Sequence, residues 1–483
     1  MLIVSFKDKD LSLVARCRAA GEKVFIEADD NAIIGRLSAE AEAYDLASHD
    51  GRRMECYIVL ATATALWLLQ TVGLPASIQA KADVVATTAA DLTAKTVFVK
   101  LPNQPSVFPS LDRQPIGADS DSTVHLVIIG SSPLTEALAI NAALVAHYPN
   151  YCRDSRLRTR ITLIDDDMPR LRSRLTQRYQ HLFENCYHRT IDLSQSNPKA
   201  PVHRPQEEQR LHDFVDVEWE FIHGNVRSEA VRQKLTLWAQ SPTQQLTIAI
   251  AHNDAERNMD EAYALPQKVY EEKTPVLCHL AATDMVSTVA GQGCYQTVIP
   301  ISELDCDLST LSILKQMAQR VNYIYGHCFR LSPDDPVSAP DHIDVDQLES
   351  QWTQIGSLTK QYSNIYNAMT LGTKMHSLGH SADDWQQYYA LSADEIELLT
   401  AVEHNRWSVE ELILGYRPLT DDEQQQVEHD PSQKKILRGE KKAHYDLRSF
   451  DDLRSDATGK NAQVYDKVLT QGIPLIIKSC ISS

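Results

Sequence analysis

The feature that most constrains this chain is a series of continuous apolar segments separated by helical patterns. The first is Val124-His125-Leu126-Val127-Ile128-Ile129-Gly130, followed by a helical stretch from Leu134 to Ala146. The series continues with Arg160 to Asp165, Trp219 to His223, Leu246 to Ala251 and Pro275 to Leu280, and Val298-Ile299-Pro300 is a candidate last member. Strands that stay apolar at successive positions, instead of alternating, must be covered on both faces. Their alternation with helices predicts an α/β fold built on a Rossmann-like parallel sheet. Within it, Ser194 to Gln209 carries three prolines and many polar residues, and reads as an insertion loop.

The flanks read differently. Met1 to Phe6, Lys23 to Ala28, Asp83 to Thr87 and Thr96 to Lys100 are expected strands of a small α/β unit, residues 1–115. The pair Ala82 to Thr87 and Thr96 to Lys100 echoes Thr247 to Ala251 and Pro275 to Leu280, which suggests a degenerate second Rossmann-like unit. Tyr57 to Ala80 has no charged residue and is long enough to span a bilayer. Its Thr, Gln and Ser content favours a buried helix, with a membrane or channel regulatory role as an alternative. Prolines 102, 105, 109 and 115 and the run Asp119-Ser120-Asp121-Ser122 mark a linker before the central domain, residues 123–330. A second linker, Ser332 to Pro340, precedes a mostly helical region, residues 345–483, with helices expected at Leu348 to Met369, Trp385 to Ala390 and Ala393 to Leu414.

A formal charge of -18 disfavours nucleic acid as a partner, because phosphate backbones would be repelled by most of the surface. A small anion needs only a local set of donors. The nine cysteines are scattered and form no C-x-x-C pair, so neither a disulfide framework, a zinc ribbon nor any other metal site is expected. The cysteine pattern and an N-terminus without a basic, cleavable leader point to a cytoplasmic protein with membrane association disfavoured.

Two clusters carry candidate chemistry. In a dinucleotide fold the first strand ends in glycine, and the next helix presents free N–H groups to a pyrophosphate. Here the turn is Gly130-Ser131-Ser132-Pro133, with one glycine of the usual three. Asp165, at the end of the following strand, stands where a ribose-binding carboxylate belongs, although Asp165-Asp166-Asp167 also suits a cap for the next helix. With Leu163-Ile164-Asp165, Phe221-Ile222-His223-Gly224-Asn225 and Ile250-Ala251-His252-Asn253-Asp254, residues 124–300 resemble the TrkA-N family of NAD-binding regulatory domains. The resemblance implies NAD or another nucleotide as cofactor, contacted by Gly130, Ser131, Ser132, Asp165 and Asn225. Asn225 stands where the family carries aspartate, and Pro133 removes an N–H.

The second cluster is Glu403-His404-Asn405-Arg406-Trp407, followed by Gly415-Tyr416-Arg417 and Lys442-Ala443-His444. On a helix, Glu403 shares a face with Arg406 and Trp407. Aromatic faces stack on bases, guanidinium and ammonium groups bind phosphate, and Asn, Glu and His read polar edges. Taken singly, each residue has a plainer use: Trp407 in the core, Glu403–Arg406 as an intrahelical ion pair, His404 as a satisfied imidazole. With Asp446-Leu447, Phe450-Asp451-Asp452-Leu453 and Ile473-Pro474, the order is similar to the ryanodine-receptor-type (RyR) domain over about residues 375–483. That resemblance implies a module binding a nucleotide-derived signal, often beside bacterial antiviral-defence or signalling domains. Its expected ligand contacts are Glu403, His404, Asn405, Arg406, Trp407, Tyr416, Arg417, Lys442 and His444. The reading is a nucleotide-sensing signalling protein, acting as a homo-oligomer and more a sensor than an enzyme. The alternative is a nucleotide-processing enzyme with Glu403 or His404 as acid–base.

Overall fold

The computed structural model describes residues 1–5, 11–102, 107–195, 200–205, 214–280, 293, 296–302, 308–328, 338–380, 390–455 and 460–481. Strands β1 (Leu2–Ser5), β2 (Val24–Glu27), β3 (Met54–Leu60) and β4 (Ala82–Thr88) form a parallel sheet in the order β2-β1-β3-β4. The second sheet holds β5 (Thr123–Ile129), β6 (Thr159–Asp165), β7 (His188–Asp192), β8 (Val202–His203), β9 (Val217–His223), β10 (Gln244–Ile250), β11 (Val276–His279) and β12 (Val298–Ile301). Its order is β12-β11-β10-β5-β6-β9-β7-β8, and only the β7–β8 pair is antiparallel. Without that hairpin, which occupies part of the expected insertion, the order is that of a dinucleotide fold: third, second, first, fourth, fifth, sixth. The α/β class and the Rossmann-like parallel sheets are therefore present, but the echo that matched Thr96 to Lys100 with Pro275 to Leu280 fails, because the first falls largely in a helix and the second in β11.

Two sequence expectations are corrected. Thr96 to Lys100 is not a strand: β4 runs straight into a helix, Ala89–Phe98, opened by the Thr88 hydroxyl accepting from the Asp91 N–H. The β-branched residues there favour a strand by propensity, but packing of Leu92, Val97 and Phe98 into the core decides for a helix. Tyr57 to Ala80 is likewise not one buried helix. It supplies the end of β3, a helix Ala63–Val72 capped by Thr62, and a short helix Ala76–Gln79. Gly73, at φ +87, and Pro75 break the run. Among the described residues no helix is long and apolar enough to cross a membrane.

The helical region contains Val345–Thr353, Leu358–Ser377 and Ala393–Ile413, the last opened by a reciprocal Ser392–Glu395 capping box. The helix expected at Trp385 to Ala390 falls mainly on residues 385–389, which lie outside the described residues. Leu308–Cys328, grouped by sequence with the central domain, packs on Leu358–Ser377 and on the closing helix Lys460–Ile481.

One helix organises the whole. Pro133–Val145, which follows Gly130, lies against β5 and β6, against Ala89–Phe98 from the N-terminal unit, and against Leu358–Ser377 and Ala393–Ile413. Its sequence is mostly apolar because neighbours cover most of its sides, Thr135, Glu136 and Asn141 being its buried polar residues. One hydrophobic cluster accordingly runs from the first sheet through this helix into the helical region, while the far face of the second sheet has its own.

Candidate functional site

The strand order of the second sheet reverses between β5 and β10, which run parallel, and a ligand crevice is expected outside their carboxyl ends. Gly130 ends β5 at φ +108, a conformation other residues avoid. A Cβ there would lie 2.8 Å from Cγ and Nδ1 of His252, the second residue after β10. The His252 ring is held by Glu261, with 2.8 Å from Nε2 to Oε2, and the His252 backbone N–H donates to Asn258 Oδ1. The space that the glycine leaves is thus used by an imidazole. Ser132 spends its hydroxyl in a capping box with Thr135, Asp165 Oδ1 accepts from the Asp167 N–H, and Asn225 donates to Asp166. Ser131, half-buried, completes the predicted set. Gly130→Ala is expected to destabilise the fold by at least about 3 kcal/mol, from left-handed strain and overpacking together, read as a shift in denaturant midpoint. Ser131→Ala should change it by no more than about 0.5 kcal/mol; equal effects would refute this account.

The C-terminal cluster is built, but inward. Arg406, 1% exposed, donates from Nε to Glu403 Oε2 (2.9 Å) and from Nη2 to Glu403 Oε1 (2.8 Å), and pairs through Nη1 with Glu410. Glu403 also holds Lys374 and accepts from Asn367 Nδ2 at 2.8 Å, both on Leu358–Ser377. Burial alone would raise the Glu403 carboxyl, but Arg406 and Lys374 outweigh it and hold the group at about 2. The guanidinium expected at a phosphate is therefore committed to two carboxylates.

The rest of the cluster is similarly engaged. His404 faces two acceptors, Asp466 Oδ2 at 3.2 Å and the Arg448 carbonyl at 2.8 Å. Against burial, which lowers it, Asp466 raises the imidazole and favours its charged form. Asn405 points to Cys152 Sγ. Trp407 and Tyr416 pack edge-on to His444, at 4.9 and 6.2 Å between centroids. Arg417 forms a two-pronged pair with Glu423 at 2.7 and 2.9 Å. Lys442 donates to the Thr71 and Leu414 carbonyls, both at 3.1 Å. The intrahelical Glu403–Arg406 pair, the plainer use, is the one found; Lys374 and Asn367 had no signal near the cluster in sequence.

A cavity of about 320 Å³ lies instead at the carboxyl ends of β3 and β4. One wall is the helix start Ala61-Thr62-Ala63 with Leu66, Trp67 and Gln70; another is the helix start Thr88-Ala89-Ala90-Asp91. The third is the Pro133–Val145 face bearing Glu136, Ala137, Ile140, Asn141 and Leu144, and Tyr179, Asn253, Tyr366 and Ile413 close the space. Thr62 and Thr88 each cap their helix, and Asp30 accepts from the Ala61 N–H at 2.7 Å and from the Thr62 hydroxyl at 2.9 Å, so a carboxylate already sits at the first of these positive helix ends. Asp91 is paired with Lys95 and accepts from Thr87 and Asn141. Glu136 is paired with Arg178, lies 3.6 Å from Arg174 and accepts from the Tyr179 hydroxyl. Arg178 also reaches Thr64 in the first turn of Ala63–Val72. The sequence signal for this site was a threonine followed by alanine after an apolar segment, twice, at Thr62-Ala63 and Thr88-Ala89.

Among the described residues no group of three or more His, Cys, Asp or Glu side chains is placed to hold a metal ion. No protein-family model, curated protein or solved structure matches this chain, so the two resemblances rest on the residues quoted for them.

Proposed function

We propose that this chain is a nucleotide-sensing regulatory protein whose ligand lies in the cavity between its two Rossmann-like units. The observation that carries the reading is the cavity's walls: β3 and β4 ends from the N-terminal unit, Pro133–Val145 from the TrkA-N-like unit, and Tyr366 and Ile413 from the helical region. A ligand held by all three favours the arrangement in which they meet, and that differential affinity is what a sensor requires. Its volume is at the small end of ligand pockets, about 300–1,000 Å³. Trp67 ties the cavity to the RyR-like region, because its indole N–H donates to the Ile413 carbonyl at 3.0 Å. The Glu403–Arg406 network then acts as the rigid lever behind the cavity instead of as the ligand contact. In the bacterial defence or signalling setting that the resemblances suggest, the response is a change in assembly of copies of this chain.

A thermal-shift screen with NAD, ADP-ribose, cyclic nucleotides and mononucleotides tests the reading, with Ala137→Trp to fill the cavity. A ligand at a hundred times its Kd should add about 2.7 kcal/mol of stability to the unmodified chain, and none to the variant. Hydrogen exchange should slow in Ala393–Ile413 on binding. No shift with any member, or an equal shift in Ala137→Trp, would reject the cavity as the sensing site.

A further inference from the structure

We infer that His404 is a proton-operated latch: its imidazole, protonated on both nitrogens, holds residues 443–450 over Trp407 and Tyr416, and losing one proton at alkaline pH releases them. The latch lies apart from the cavity and does not depend on a ligand there. The His404 ring is 1% exposed and packs against Trp407 and Phe450, at 5.6 and 5.9 Å between centroids, which leaves water no place as a partner. Its Nε2 meets the Arg448 carbonyl at 2.8 Å, and its Nδ1 meets Asp466 Oδ2 at 3.2 Å. A carbonyl oxygen only accepts, so Nε2 carries hydrogen. The contact between Nδ1 and the carboxyl also needs one hydrogen, and the imidazole is the stronger base of the two, so it sits on Nδ1. Burial opposes the charge on His404, but Asp466, the Arg448 carbonyl and Asp446 outweigh it and raise the imidazole above its ordinary 6.5. Burial raises the Asp466 carboxyl as well. Both directions keep the proton in the folded pair past the pH at which the unfolded chain releases it.

Once that proton leaves, one N–H remains for two oxygens. It stays with Asp466, because a hydrogen bond to a carboxylate is the stronger. The Nε2 lone pair then faces the Arg448 carbonyl at 2.8 Å with no water between them, and the segment that carries this carbonyl is repelled. That segment brings His444 edge-on to Trp407 and Tyr416, so its departure exposes more of both rings. The tie is full below pH 6.5 and is lost as pH rises through the higher folded value. The surrounding groups leave the change to this pair. Within the segment, burial holds His444 well below its ordinary value, and its Nδ1 accepts from the Asp446 N–H. Burial raises Asp446, against Lys434, His404, Arg448 and Arg438. Tyr325 and Cys328, on Leu308–Cys328, feel Asp466 but are pushed chiefly by burial to about 12 and about 11, and stay protonated. Lys374 and Arg406 are tied to Glu403. Glu411, on the same helix as His404, is pushed up to about 8, but no variant that tests the latch alters it.

Nitrogen NMR of the full chain labelled at histidine reads the proton directly, with the His404 signals identified by their loss in His404→Asn or by contact with the Trp407 indole. Both ring nitrogens should carry hydrogen at about pH 6.5, and one should lose it by about pH 9.5. Hydrogen exchange, corrected for its intrinsic pH dependence, reads the segment. Between those pH values the amides of residues 445–453 should come to exchange at least about tenfold faster in the unmodified chain, with the midpoint of the His404 titration. Asp466→Asn should suppress that rise, because its amide donates to Nδ1 of a neutral imidazole whose Nε2–H keeps the Arg448 carbonyl. His404→Asn should exchange fast at both pH values, since its amide reaches Asp466 and not the carbonyl. A His404 with a structural role alone would make both variants loosen the segment alike at pH 6.5. That result, a single protonated nitrogen at pH 6.5, or an equal alkaline rise in Asp466→Asn would overturn the latch. Should a variant fail to fold by circular dichroism, the shared midpoint of titration and exchange in the unmodified chain decides the matter, and separate midpoints reject the latch.

Discussion

Arg406→Ala is expected to lower stability by about 3–5 kcal/mol, the range for removing one partner of a buried ion pair. The loss comes from what remains. Glu403 keeps Lys374 and Asn367, but Glu410 is left buried without its cation. Glu410 lies away from solvent altogether, so water cannot replace the guanidinium. Arg406→Lys should recover part of the loss, since an ammonium keeps the charge but not the fork that spans Glu403 and Glu410. The urea midpoint, with unchanged slope, measures both. A loss below about 1 kcal/mol would mean that the network is solvated and is not the lever behind the cavity. The same network sets an acid limit. Glu403 is depressed to about 2 from an ordinary 4.5, so its contribution is present above pH 4.5 and disappears as pH falls toward 2.

Glu411→Gln is expected to do the reverse and stabilise the protein at alkaline pH. Glu411 is 4% exposed, and its Oε2 finds no partner among the described residues. Burial pushes its carboxyl up to about 8, with Glu410 adding to the rise and Arg438, Arg406 and Lys442 opposing it. The folded chain therefore keeps a proton that the unfolded chain releases near pH 4.5. Stability from this group is full below pH 4.5 and is lost as pH rises through 8, at about 1.4 kcal/mol per unit between them. An amide cannot ionise, so Glu411→Gln should flatten that decline. The variant should match the unmodified chain near pH 4.5 and exceed it by a few kcal/mol at pH 8.5, which chemical denaturation at the two pH values reads directly. Parallel pH profiles would mean that the carboxylate is already hydrated and charged at neutrality.

Much of the fold was legible because its evidence is local. Val124 to Ile129 could only be a strand covered twice, and Ala393 to Leu414 announces its helix by apolar spacing and its end by Gly415, which adopts φ +85. Tyr57 to Ala80 misled because absence of charge marks burial without telling a strand from a helix, and Gly73 with Pro75 was the stronger cue. Thr96 to Lys100 misled because propensity yields to packing. The candidate site was least legible for a geometric reason. Glu403 meets a lysine 29 residues away and an amide 36 away, and the cavity gathers residues from Ala61 to Ile413. Such pairings depend on how sheets and helices stack, which spacing along one element does not encode.

The helix Pro133–Val145 has a consequence for how the protein comes into being. Its first coverings, Ala89–Phe98 and β5, are made before it or beside it in the chain, but Leu358–Ser377 and Ala393–Ile413 emerge more than two hundred residues later during synthesis. In that interval an apolar helix face waits uncovered, which is the condition under which growing chains aggregate or engage chaperones. The segment that joins the finished molecule is thus also its most exposed liability while the chain is being made.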